Sequence, residues 1–245
     1  MRTVIEQKNI SKKYKDFHGK QFQVLHKVDL SIQEGEFFVL LGPSGCGKST
    51  LLRIMSGLDK TFTGTQTYSG LSKEDFGFVF QQFALLPWLT VEQNISFGLL
   101  AKGSLTEEDK KSVAELLQLF GLERFANEYP KELSGGMKQR VGIARALAIN
   151  PKIIFLDEPF SALDSFTAKA LREELLSVWQ KRKMTIVMVT HNIDEAVQLS
   201  DRIGVMSANP GTLTAVVENT IPRPRELRSK EFFDMVDKLE GLVKV

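Results

Sequence analysis

A chain of 245 residues, 42% of them hydrophobic, can bury a large core without metal or disulfide staples, which excludes the small cross-linked scaffolds. A formal charge of +2, with Lys, Arg, Asp and Glu interleaved, excludes the concentrated basic stripe of a nucleic-acid-binding surface. One cysteine (Cys46), a charged start (MRTVIEQK) and the lack of any apolar run near the ~20 residues that span a bilayer point to a soluble α/β protein of the reducing cytoplasm.

Along the chain, Asp29–Ile32 alternates ahead of a turn at Gly35, which predicts a strand ending in a hairpin. Phe37–Leu41 (FFVLL) predicts a buried strand, and Leu51–Met55 (LLRIM) the opening of a helix. Between them lies Gly42-Pro43-Ser44-Gly45-Cys46-Gly47-Lys48-Ser49-Thr50, a full G-x-x-x-x-G-K-S run. In that order the glycines let successive backbone N–H groups point inward at phosphate oxygens, and the helix adds the positive end of its dipole. Lys48 then reaches the β- and γ-phosphates and the Ser49 hydroxyl ligates Mg²⁺. The run is read as the binding loop of a nucleoside triphosphate. Cys46 within it is read as a small residue fitted to the loop rather than as a redox switch.

Phe76–Phe80 (FGFVF) predicts a further short strand, and from about Leu99 to Ala148 the period turns helical. Thr106-Glu107-Glu108-Asp109 reads as a capping box, followed by Val113, Leu116, Leu117 and Phe120 on one face. Strands are predicted over Ile153–Leu156, Thr185–Val189, Ile203–Met206 and Leu213–Val217, the last two joined by a turn at Asn209-Pro210-Gly211. Helices are predicted over Thr167–Lys181 and Glu231–Val243. Apolar runs without alternation suit a mostly parallel sheet with covered faces, so the expected fold is an α/β core with an antiparallel β part and a helical insertion.

Ile153-Ile154-Phe155-Leu156-Asp157-Glu158-Pro159 is the second chemical feature: an apolar strand delivering two carboxylates to the edge of a sheet where ligands bind. Asp157 is placed on the Mg²⁺ and Glu158 on the attacking water, the division of labour that in-line hydrolysis of a phosphoryl group requires. The third is Leu133-Ser134-Gly135-Gly136-Met137-Lys138-Gln139-Arg140. Ser134 is a natural N-cap, and Gly135 and Gly136 leave bare N–H groups at a helix start, a second anion site.

With both earlier motifs in place, LSGGMKQR resembles the signature of ATP-binding-cassette (ABC) ATPases, and the resemblance runs over nearly the whole chain as a single cassette with a helical subdomain at about residues 82–148. The family implies a head-to-tail dimer sandwiching two ATP molecules, the signature of one copy (Ser134, Gly135, Gly136) closing on the nucleotide held by the other. It also implies roles for further residues. Tyr14 matches the aromatic on which adenine stacks; Gln81, directly after FGFVF and chosen over Gln82, matches the glutamine that ligates Mg²⁺ and senses the transport domain. Asp164 in Ser161-Ala162-Leu163-Asp164 matches the loop that crosses the dimer. His191 matches the switch histidine at the γ-phosphate, whereas His18 and His26 are read as structural.

VFQQFALLPWLTVEQNI, LSGGMKQR and Ile221-Pro222-Arg223-Pro224-Arg225 together resemble the importer ATPases of the nitrate/sulfonate/taurine group. That implies an ATPase at the cytoplasmic face of the membrane, working with separate permease subunits and, through them, an extracytoplasmic solute-binding protein. Phe83–Leu89 (FALLPWL), apolar for a loop, is the expected groove for a permease helix. Arg223 and Arg225 are read as solvating a linker. Two rivals share the catalytic motifs. One is the ATPase of a lipid-trafficking or export system. The other is a cassette acting on ribosomes or DNA, disfavoured by the single cassette, the absence of a heptad run and the absence of a Cys-x-x-Cys pair.

Overall fold

Residues 2–16, 18–101 and 103–243 are described by the structure, a computed structural model. In chain order the strands are β1 (Thr3–Lys15), β2 (Gln21–Gln33), β3 (Phe37–Leu41), β4 (Thr63–Tyr68), β5 (Phe76–Val79), β6 (Ile153–Asp157), β7 (Thr185–Thr190), β8 (Arg202–Ser207) and β9 (Thr212–Glu218). The helices are α1 (Lys48–Met55), α2 (Val91–Leu100), α3 (Glu107–Leu119), α4 (Gly135–Ala148), α5 (Ser165–Arg182), α6 (Ile193–Leu199) and α7 (Lys230–Val243). They divide into two compact units, Met1–Lys73 with Thr185–Val245, and Glu74–Met184.

The first unit holds two β layers whose patterns differ for a physical reason. β1 and β2 alternate, burying Val4, Ile5, Ile10, Leu25, Val28, Leu30 and Ile32, so one face is wet. They pair antiparallel, and β4 adds to the other edge of β1. β3 is instead buried at every position and pairs in parallel with β7 and β8, with β9 antiparallel on β8. The expected hairpin after Asp29–Ile32 does not form. The turn at Gly35 (φ 76) carries the chain from the antiparallel layer into the parallel one, because FFVLL has no polar face to leave exposed beside β2.

In the second unit β5 and β6 pair in parallel. Its helices match the period read from the sequence except at the first boundary. α2 begins at Val91, because Thr90 and Gln93 form a capping box: the Thr90 hydroxyl accepts from Gln93 N at 3.3 Å and the Gln93 amide accepts from Thr90 N at 3.0 Å. The box at Thr106 and Asp109 forms as read, and Val113, Leu116, Leu117 and Phe120 are buried.

Candidate functional site

At the end of β3, Gly42 lies so close to β8 that a Cβ there would stand 2.6 Å from the Met206 carbonyl oxygen. Gly47, at φ 97, is the N-cap of α1, and a Cβ on it would meet Leu25 at 2.8 Å. Both positions therefore demand glycine, one for space and one for backbone geometry as well. α1 opens with no side-chain cap and no acidic residue in its first turn. Its first turn therefore carries no acidic side chain of its own to offset the positive end of the dipole, an electrostatic setting that suits an anion. The buried Lys48 donates to the carbonyls of Gly42 at 2.8 Å and Pro43 at 2.9 Å, so its ammonium is held inside the curl of the loop. Cys46 is buried with its sulfur 3.9 Å from that ammonium. Ser44 and Gly45 are exposed at the tip, and Ser49 and Thr50 lie in the first turn of α1.

His191 reaches the same sheet edge by register. Leu41, the last residue of β3, is opposite Thr190, the last residue of β7, so Gly42 and His191 leave adjacent parallel strands at the same level, ~5 Å apart by strand spacing. Asn192 caps α6 by accepting from Glu195 N at 3.1 Å, and the Thr190 hydroxyl donates to the buried Glu195 carboxylate at 2.7 Å, which fixes the turn carrying the exposed His191.

Tyr14 lies near the end of β1, 38% exposed, so its ring is available at the surface rather than part of the core. Its hydroxyl donates to Asp59 at 3.3 Å, and the Lys12 ammonium lies 4.8 Å from its ring centroid. Lys12, only 4% exposed, pairs with Asp59 at 2.6 Å and donates to Thr61. Burial pushes the Asp59 carboxyl up, but the hydrogen bonds from Lys12 and Thr61 and the Lys12 charge outweigh it and hold the group at about 2. Sequence reasoning missed this support because an alternating strand gives no warning that a lysine faces inward.

The second unit carries the other chemical groups. β6 ends at Asp157, 1% exposed, and the next residue, Glu158, takes a left-handed backbone at φ 45, a strain of order 1–3 kcal/mol for a non-glycine. The Glu158 carbonyl accepts from Ser161 N at 3.3 Å and from the Ser161 hydroxyl at 3.0 Å, which holds the turn. Because Val79 of β5 is opposite Leu156 of β6, Gln81 and Glu158 leave the sheet at one level, and the Gln81 amide donates to the Glu158 carboxylate at 3.5 Å. Ser134 caps α4 as read, accepting from Met137 N at 3.3 Å, and the first turn of α4 has no acidic residue. Gly136 has a packing reason as well: a Cβ there would strike the Thr167 methyl at 2.7 Å, whereas Gly135 has only one atom nearby, at 4.0 Å. Asp164 caps α5, accepting from Phe166 N at 3.1 Å and Thr167 N at 3.0 Å; a hydrogen bond from the Thr167 hydroxyl first, and then these backbone bonds, hold its carboxyl below the usual range.

Two readings of apolar and basic segments meet the structure differently. In Phe83–Leu89, Phe83, Leu85, Leu86 and Leu89 are half-buried, and Trp88 is 70% exposed. The reading of Arg223 and Arg225 as solvating a linker is corrected. Arg225 is 9% exposed and donates to the carbonyls of Val197 at 2.8 Å, Ser200 at 2.6 Å and Ile221 at 2.8 Å; Arg223 pairs with Asp201 and donates to Leu199 O. Together they satisfy the orphan carbonyls at the C-terminus of α6, which a linker side chain would leave to water. Burial holds the Arg225 guanidinium down at about 10, still charged at neutral pH.

The family model described as "ABC transporter" matches residues 25–161. The chain is 43% identical to an uncharacterized ABC transporter ATP-binding protein of Methanocaldococcus jannaschii, over all of this chain and 92% of that one. It is 46% identical to the aliphatic sulfonates import ATP-binding protein SsuB of Bacillus cereus, covering 93% of this chain and 91% of that one, and 44% identical to SsuB of Bacillus subtilis, covering 91% and 89%. Among solved structures, the ATP-binding cassette MJ0796, a dimer in a post-hydrolysis state bound to ADP and Pi, superposes with a TM-score of 0.79 at 38% identity, covering 89% of this chain and 100% of that one.

Proposed function

The chain belongs to the ABC transporter family and is an ATP-hydrolysing cassette of it, and from that premise we propose that it is the ATPase subunit of a solute importer for aliphatic sulfonates or similar small solutes such as nitrate or taurine. Its site is the phosphate loop Gly42–Thr50 with Lys48 and Ser49, joined in catalysis by Asp157, Glu158, Gln81 and His191, with Tyr14 stacking on the adenine. The observation that carries the ATPase chemistry is the start of α1: a helix N-terminus without a side-chain cap, whose first residue is a buried lysine folded back onto the loop carbonyls. The importer half rests on the relatives named for aliphatic sulfonate import.

The donors assigned to the metal, the Ser49 hydroxyl, the Asp157 carboxylate and the Gln81 amide oxygen, are all hard oxygens, the chemistry that suits Mg²⁺. When bound, Mg²⁺ neutralises charge on the β- and γ-phosphates. Lys48 leaves the carbonyls of Gly42 and Pro43 for the γ-phosphate and shares that neutralisation. Glu158 accepts a proton from the attacking water and orients it in line, with Gln81 steadying its carboxylate. His191 donates to the γ-phosphate and holds it as charge develops.

The active unit is an ATP-sandwich dimer with a second copy of the chain. The Ser134–Gly136 end of α4 supplies N–H donors to the partner's nucleotide, and Asp164 crosses the interface. Hydrolysis removes the phosphate shared by the two copies, and they part. No described helix is long and apolar enough to cross a membrane. The membrane path is assigned to separate permease subunits, with the exposed Trp88 and its neighbours as the docking surface and an extracytoplasmic binding protein upstream.

The test is capture of partners by tagged Glu158→Gln protein from detergent-solubilised native membranes in Mg-ATP. The expected result is an integral membrane permease, whose binding protein is then screened with sulfonates. Recovery of ribosomal or DNA-bound proteins without a permease would overturn the importer reading, and a permease of lipid or drug export would redirect it.

A further inference from the structure

The loop between β5 and α2 contains two consecutive non-glycine residues in the left-handed region, Phe83 at φ 46 and Ala84 at φ 47. Neither has the freedom of glycine, so the conformation exists only because something outside the loop imposes it. The Arg145 guanidinium does so. From α4 its Nη1 donates to the Ala84 carbonyl at 2.8 Å and its Nη2 to the Phe83 carbonyl at 3.1 Å. One planar fork thus takes both successive carbonyls, a geometry that a lysine, with its point charge, does not reproduce. Burial lowers the Arg145 guanidinium from its usual value, so the two carbonyls replace the water it gave up.

The far side of the loop has its own anchor. Asn94, fully buried on α2, donates to the carbonyls of Leu86 at 3.1 Å and Leu89 at 3.0 Å and accepts from Leu86 N at 2.8 Å. Between the phosphate-side glutamine and the exposed Trp88, the chain is therefore fixed at two points. The first of them lies two residues from Gln81, whose amide meets the Glu158 carboxylate. Arg145 also stands on the helix whose opposite end is the Ser134 cap, eleven residues or ~16 Å away along one rigid rod.

We infer that Arg145 is a positioning residue: its fork on the Phe83 and Ala84 carbonyls latches the loop carrying Gln81 to the signature helix α4, so that Gln81 is held against Glu158 and moves as one piece with the Ser134 end. The inference rests on the proposed roles of Gln81 and Glu158 in hydrolysis. Arg145 touches no reacting atom; it acts through the loop.

The test compares Arg145→Lys with Arg182→Lys in the whole chain. Arg182 is a matched control, since it also reaches α4, donating to Leu147 O at 3.0 Å, but holds no part of the loop. Hydrogen exchange over residues 82–86 and steady-state ATP hydrolysis are read on the same samples. Arg145→Lys is expected to speed exchange there and to lower kcat, each by about tenfold or more, with KM for ATP changed by less than about twofold. Adding Ala84→Gly, which makes the left-handed backbone cheap, is expected to restore part of the kcat. Arg182→Lys is expected to lower Tm and leave both readouts unchanged. If Arg145→Lys does no more than Arg182→Lys, the residue is structural and the inference falls. Where Arg145→Lys does not fold, the wild-type chain decides: a latched loop keeps the Ala84 N–H on the Gln82 carbonyl, so that amide exchanges at least about tenfold more slowly than in an unstructured chain, and exchange at the unstructured rate overturns the latch. Failure of the underlying reading is distinguishable, because it would show as undiminished turnover in Glu158→Gln while the exchange data still judge the latch.

Discussion

In the phosphate loop the left-handed positions are glycines, Gly45 at φ 79 and Gly47 at φ 97; in the two loops of the second unit that follow Gln81 and Asp157 they are Phe83 at 46, Ala84 at 47 and Glu158 at 45. The first loop needs no outside help to take its shape, because glycine enters that region freely. The second set is held by side chains, Arg145 of α4 on the Phe83 and Ala84 carbonyls and Ser161, within the same turn, on the Glu158 carbonyl. A loop that must wrap a phosphate does so with backbone alone. A loop that must aim a glutamine or a carboxylate needs the side chain, accepts the strain, and recruits a neighbour to hold it.

The largest expected effect would break or bear out this contrast at Glu158. Glu158→Gly should remove the strain together with the carboxylate proposed to orient the water, raising thermal stability while kcat falls by about 10²–10⁴-fold. A less stable variant in calorimetry would mean that the turn is not strained. Gly47→Ala is the converse. It places a Cβ at φ 97 and 2.8 Å from Leu25, so about 3 kcal/mol of stability should be lost in denaturant unfolding, with nucleotide affinity lost alongside.

The Lys12–Asp59–Thr61 cluster sharpens the comparison within the first unit, since there too a surface aromatic is held by side chains. Asp59 is lowered from 3.8 to about 2, so its contribution to stability is fully present above pH 3.8 and lost as the pH falls through 2. Asp59→Asn should flatten the stability profile over that window in acid titrations of Tm; an unchanged profile would remove the ion pair from the account. The smallest effect is expected at Ala84→Gly with Arg145 intact. Relief of the left-handed backbone is nearly offset by the freer unfolded chain, leaving a gain of about 0.5 kcal/mol, opposite in sign to Gly47→Ala.

How much of this was legible depends on whether the controlling interaction is near in sequence. FFVLL, the glycines after it, the Thr106 box and the Ser134 cap were legible because each is satisfied within a few residues of itself. Asp157 and Glu158 were legible as the end of an apolar strand, though the left-handed turn at Glu158 was not. Thr90 and Gln93 obey the same capping rule as Thr106, and the α2 boundary could have been found by applying it there. Arg225 was misread because its partners, the carbonyls of 197–200, lie more than twenty residues upstream, and a basic residue directly after a proline looks solvated until that helix end is seen.

By itself the sequence determined the α/β class, the phosphate loop, the order of the catalytic motifs and the family, since each rests on residue types at fixed spacing and on local backbone rules. Only the tertiary structure decided that Leu41 is level with Thr190, that Lys12 and Arg225 are buried, and that Arg145 grips the loop beyond Gln81. Strand register and the partners of buried cations are set by which distant groups must be satisfied once water is excluded, and that demand arises only when the chain is packed.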